Sequence, residues 1–303
     1  MSAANSLNCA LFLIKSTFML YEIEALANAH CNTGENPFWI PETRQVLWTD
    51  IPNGRLFRFD VATGQWRQFY DGEIVGGFTL QSDDSLLLFR DHNIAVLRED
   101  GAEEILRDDI DPETGRFNDV FTDPEGRVFA GTMGNGGPNG GLYRVDLDGS
   151  VTKLWDGTGC ANGMGFTPDL RGFYWTDTSA KTIFLFDYNR ASGELSNRRE
   201  FLKVTDPEWG VTDGMTVDSD GNVWSAFWGG SAIRQFSPQG ELLQEIKFPV
   251  ANITSCIFGG EKLDELYVTT AGGKDDSDTA DGTLYRVRVD ATGRPEFRSR
   301  IGL

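Results

Sequence analysis

Five oxygen-bearing side chains recur at one register of this 303-residue chain: Glu35, Asn118, Asn162, Asp213 and Ser255. Each precedes an apolar anchor (Leu47, Phe129, Tyr174, Trp224 and Tyr267) by eleven or twelve residues, and a sixth position of the same kind, before Leu87, holds Gly76. The flanking segments GENPFW, FNDVF, ANGMGF, TDGMTV and TSCIF set every one beside Gly or apolar residues, the setting of a buried polar group. Two carboxylates brought together in a partly dry place repel each other unless something neutralises them. One divalent cation does so, and ligands that are all oxygen suit Ca, Mg, Mn or Zn. Asn and Asp also cap turns, which accounts for any single position about equally well. It does not account for five at one register.

For these residues to meet, the chain must bring the same point of several units to one place. The sequence supplies such units. Six segments share a turn rich in Asp, Pro and Gly followed by an apolar strand: PETRQVLWTD, SDDSLLLFRD, DPEGRVFAGT, TPDLRGFYWTD, DSDGNVWSAF and GEKLDELYVTT. A further strand follows in each, namely GRLFRFD, NIAVLRED, GGLYRVD, KTIFLFD, SAIRQFS and GTLYRVR. Alternating apolar residues between turns mark half-buried antiparallel strands, and repeats of roughly 40 to 50 residues mark propeller blades. The expected fold is all-β, a six-bladed propeller with four-stranded antiparallel blades over residues 21–303. The register of the five oxygens then falls on the innermost strands, which line the central channel. Closing the ring requires the last repeat to pair with chain near Tyr21 to Ala27.

Composition narrows the partners. With 27 Lys+Arg against 46 Asp+Glu, the formal charge of −19 disfavours nucleic acid and anionic lipid. The four cysteines, Cys9, Cys31, Cys160 and Cys256, form no CxxC pair and read as reduced thiols of a cytoplasmic protein rather than a zinc-thiolate site. The apolar stretch within residues 1–20 has Lys15 inside it and no basic residue before it, so it reads as a dispensable leader rather than a signal peptide. No segment approaches the roughly 18 to 20 apolar residues of a membrane span. Nothing in the sequence fixes an oligomeric state.

These motifs resemble the regucalcin (senescence marker protein), gluconolactonase and luciferin-regenerating family of six-bladed propellers. GENPFW is similar to that family's first-blade metal segment, GRFNDVFTDPEGRVFAGTM to its substrate segment, NGMGFTPDLRGFYWTD and TDGMTVDSDGNVW to its third and fourth, and TSCIFGGEKLDELYVTTA to its closing signature. The resemblance implies hydrolysis of a small-molecule sugar lactone, gluconolactone-like, to the aldonic acid. It implies that Glu35, Asn162 and Asp213 hold one divalent metal, that Arg116 and Asn118 bind substrate oxygens, and that Asp213 also carries the proton. Ser255 joins them only through its register. An acidic protein of this kind is expected to prefer a neutral lactone over a phosphorylated one.

One departure concerns the loop GNGGPNGG, 134–141, which lacks the acidic residue that family members carry after the AGTM segment; Asn135 or Asn139 could take its place. Other signals are weaker. His30 and His92 read as structural, and without a G-x-S-x-G elbow a Ser-His-Asp hydrolase has little support. KDDSDTADG, 274–282, lacks the Gly and Glu of an EF-hand loop and reads as a solvated insertion. Trp228 could wall the channel mouth. Two other readings remain open, a non-catalytic calcium-binding propeller and a hydrolase of another ester at the same metal. The pairing of Arg116 with Asn118 separates them, because a storage site needs no substrate clamp.

Overall fold

A computed structural model describes residues 21–273 and 279–303. The leader and most of the 274–282 segment lie outside the described residues. Among the described residues, twenty-four strands form six four-stranded antiparallel sheets. Five blades are continuous in sequence, over 34–71, 77–107, 117–158, 161–203 and 211–247. The sixth takes three strands from 252–288 and its outermost strand, Ile23–Asn28, from the start of the described chain. That strand pairs antiparallel with Thr283–Arg288, close to the expected place.

Local chemistry explains the hairpins. In DPEG and DSDG the first Asp accepts backbone N–H groups two and four residues on, Glu125 and Arg127 at Asp123, Asp220 and Asn222 at Asp218. Each Asp thus satisfies donors that the turn frees. Asp123 is also fully buried and binds Tyr188 of the next blade at 2.8 Å. Packing follows the ring, with an apolar cluster between every pair of neighbouring blades.

The inner strands run so close together that side chains must be omitted at some contacts. A Cβ on Gly76 would lie 2.0 Å from the Phe117 carbonyl oxygen, and one on Gly163 would lie 2.6 Å from that of Asp213. Five of the six inner strands also carry a β-bulge, between Glu35 and Phe38, Phe117 and Val120, Asn162 and Met164, Thr212 and Met215, and Ile253 and Ser255. A bulge re-aims a side chain out of the regular alternation. Each includes or abuts one of the five oxygen-bearing residues. The inner strand of blade 2, Gly77–Leu80, pairs without a shift.

After the last blade the chain crosses the face opposite the start of the inner strands. Ser219 N–H donates to Thr292, Ser299 N–H to Leu80, Arg300 N–H to Gly126 and Gly302 N–H to Leu147. The first three contacts are made at or beside turns between inner and second strands of blades 5, 2 and 3, so this segment floors the channel.

Candidate active site at the channel mouth

Glu35, Asn118, Asn162, Asp213 and Ser255 are all buried. Asn118 and Asn162 are joined directly, Asn118 Nδ2 donating to Asn162 Oδ1 at 2.8 Å and to the Ala161 carbonyl at 2.9 Å. Arg116 Nη1 donates to Asn118 Oδ1 at 2.7 Å. Asn162 Nδ2 donates to the Thr178 hydroxyl at 3.0 Å, which in turn donates to the Thr212 carbonyl at 2.8 Å. This chain of donors spans blades 3, 4 and 5. It fixes both amides and leaves the Asn162 carbonyl oxygen as that residue's acceptor face.

The two carboxylates complete the cluster electrostatically. Burial pushes Glu35 well above the usual carboxylate range, with the charges of Asp213 and Asp119 adding to the shift. Asp213 is raised in the same way, by burial and then by Asp119. The Arg116 guanidinium offsets part of this at both groups and is itself lowered by burial. One Asn36 N–H bonds Glu35 Oε2 at 2.8 Å. Burial and neighbouring negative charge thus disfavour ionisation of both carboxylates, with Arg116 the cation felt at each, and a divalent ion would relieve that penalty. Among the described residues no three His, Cys, Asp or Glu side chains gather as a metal cluster, and any ion held by Glu35 and Asp213 would need an oxygen of another kind as its third protein ligand. Asn162 Oδ1 fits that need.

Ser255 is set apart. It packs against Gly214 and lines a small internal cavity deeper in the channel, with Asn36, Thr79, Asp119, Thr122 and Glu296. Asp119 and Glu296 are each raised to about 7, first by burial, and the charge of Asp119 adds to the shift of Glu296. The Asn118–Asn162 network does not extend to Ser255.

Several residues of the site escape the repeat register. Cys160 lies beside both amides, 3.8 Å from Asn118 Nδ2 and 3.6 Å from Asn162 Nδ2. Its thiol is pushed up to about 12 by burial and the Asp213 charge, so it stays protonated. Thr178 sits in a turn, and its sequence carries no sign of its part in orienting Asn162. Asp119, next to Asn118 in FNDVF, points to the lower cavity because the bulge turns successive residues to different places. In the 134–141 loop, Asn139 Oδ1 accepts Asn135 N–H at 2.7 Å and its Nδ2 donates to the Glu113 carbonyl at 2.6 Å, so Asn139 holds the loop. Asn135 is left as the candidate hydroxyl binder. Trp228 pairs with Val211 at the start of the inner strand of blade 5 and is 37% exposed. His30 and His92 belong to no bond of the amide network; the Nδ1 atom of each is buried without a hydrogen-bond partner.

Residues 33–272 match the family model described as SMP-30/Gluconolactonase/LRE-like region. The pentonolactonase XacC of Haloferax volcanii is 42% identical over 290 residues, 93% of this chain and 99% of that protein. Human regucalcin is 32% identical over 260 residues, 82% of this chain and 87% of its own. Among solved structures, a luciferin-regenerating enzyme superposes with a TM-score of 0.85 at 27% identity, covering 93% of this chain and 100% of that one. A gluconolactonase of Xanthomonas campestris shares the fold, with a TM-score of 0.74 at 22% identity, covering 88% of this chain and 89% of that one.

Proposed function

Because the chain belongs to the SMP-30/gluconolactonase/LRE-like family, we propose that it hydrolyses a sugar lactone to the aldonic acid at the channel mouth, with a divalent cation held by Glu35, Asn162 and Asp213. As an enzyme it is a lactonase: the relative at 42% identity carries that name, and pentonolactones are the first substrates to try. The observation that carries the reading is the bonded series Arg116, Asn118, Asn162 beside two buried carboxylates. A bare metal store has no use for the first two.

A cation here supplies charge neutralisation for Glu35 and Asp213 and Lewis acidity toward the lactone carbonyl. The chain's own groups do the rest. Arg116 presents a planar fork of donors, suited to the oxygens of a polyhydroxylated ring. Asn118 sets that fork by accepting from Nη1. Asp213 takes a proton from the attacking water and returns it to the ring oxygen as the acyl C–O bond breaks, so the product is the open hydroxy acid. The ester is already strained, and no covalent nucleophile is needed; the protonated Cys160 fits a packing role.

Acid release from pentono- and hexonolactones is to be followed before and after chelation, then after adding back Ca, Mg, Mn or Zn. Activity lost on chelation, restored by one of these ions and reduced at least about 100-fold by Glu35→Gln supports the proposal. Metal-dependent stabilisation with no turnover on any lactone would favour the non-catalytic reading. Full activity in the chelated protein would remove the metal from it.

A further inference from the structure

A second cavity lies between blades 1 and 2, away from the mouth, with a volume of about 600 Å³. Its apolar walls are Ile40, Leu47, Phe69, Leu80, Leu86 and Leu97, four of them otherwise buried side chains of the core between these blades. That volume is in the range of small-molecule sites, which combine apolar lining with a few fixed polar groups.

The polar group is Arg58. Its guanidinium lies over the Phe69 ring at 4.3 Å, and its buried Nε has no hydrogen-bond partner. Directly across the strand pair stands a second arginine, Arg67. Like charges placed opposite each other destabilise a sheet. The other two cations of the lining are already paired, Arg298 with Glu42 and Asp84 and Arg98 with Glu104. Glu99 is near enough for its charge to be felt at Arg58 but forms no ion pair with it among the described contacts. In a chain with a surplus of acids, two facing arginines without a carboxylate ion-pair partner among the described residues are out of keeping with their surroundings. An anion supplied from outside to the cleft side of the guanidinium would remove the repulsion.

We propose that the cleft between blades 1 and 2 binds a small carboxylate with an apolar body, its carboxyl group on Arg58 and its hydrocarbon against the leucine wall. A planar guanidinium prefers a bidentate carboxylate. The aldonic acid product has the carboxylate but no apolar body, so it does not satisfy the walls. The site is separate from the lactone chemistry and stands or falls without it.

The probe is 2-naphthoate, titrated calorimetrically into the full chain, with 2-naphthol as its neutral analogue. Expected are saturable 1:1 binding of naphthoate, at least about tenfold weaker binding of naphthol, and a similar loss in Arg58→Gln. Leu86→Trp, which fills the cleft while keeping Arg58, should abolish binding, whereas Glu35→Ala should not alter it. Lactonase activity should be unchanged in Arg58→Gln, which also reports that the variant is folded. Naphthoate that does not bind at millimolar concentration, binds Arg58→Gln equally well, or is lost in Glu35→Ala overturns the proposal.

Discussion

Blade 2 and its five companions treat the same strand differently. In the five, the inner strand breaks register where a polar residue must point into the channel. In blade 2 the pairing is regular and the equivalent residue is Gly76. Its contribution is space: a side chain there would strike the Phe117 carbonyl, next to Asn118. Asn36, bent into a positive φ of 50°, fastens blade 1 to that same strand by accepting Phe78 N–H at 2.5 Å. The ring thus divides its work. Bulged strands aim functional groups, and the regular strand lets its neighbour come close enough for them to meet.

The contrast can be tested from both sides. The largest effect should come from a bulged strand: Asp213→Asn keeps the shape but removes a charge and the proton acceptor, so kcat should fall about 10³-fold or more at saturating metal. A loss below tenfold would take the proton away from Asp213. In blade 2, Gly76→Val should act through position alone. It should lower stability by about 2 to 4 kcal/mol in denaturant melts, since backbone and not a flexible side chain blocks the added atoms. It should reduce kcat/KM through Arg116 and Asn118 while metal affinity stays near that of the parent. Equal loss of metal affinity would mean that blade 2 shapes the whole mouth.

The smallest effect belongs to the floor. Glu296 is raised from 4.5 to about 7, so the folded chain binds more protons there than the unfolded chain between those values. Stability from this group therefore declines as pH rises from about 4.5 to about 7 and is level above. Glu296→Gln should flatten that decline by on the order of 2 kcal/mol or less, since Glu296 is only partly buried and solvent screens part of the penalty. Melting curves at pH 5 and pH 7.5 read the difference. Turnover at pH 7.5 should be unaltered.

Much of this arrangement could be read from the chain because its signals are local. A turn such as DPEG closes through its own Asp, and alternation along GLYRV needs no distant partner to be legible. Repeating those signals six times yields the ring, and the ring yields the convergence of Glu35, Asn118, Asn162 and Asp213. The remainder depends on contacts across blades. Nothing in GCANG shows that Cys160 faces the amide of Asn118, and nothing in WTDTS shows that Thr178 bridges to Thr212. Ser255 shares the register yet lies with the lower cavity, because a common register fixes depth only as far as the bulges are alike. Among the neighbouring anchors, Tyr174 and Trp224 stand furthest apart in sequence, because the long outer hairpin of blade 4, strands Thr182–Asn189 and Glu194–Lys203, lies between them.

The strand Ile23–Asn28 has its partner, Thr283–Arg288, at the far end of the chain. On a ribosome it emerges first among the described strands and waits for roughly 250 further residues, on the order of 10 to 50 s at usual synthesis rates. During that time its backbone donors have no mate, and blades 1 to 5 can assemble without it. Closure of the circle should therefore be a late annealing step that follows synthesis of Thr283–Arg288, and a nascent chain halted before Thr283 should carry an open edge for chaperones to hold.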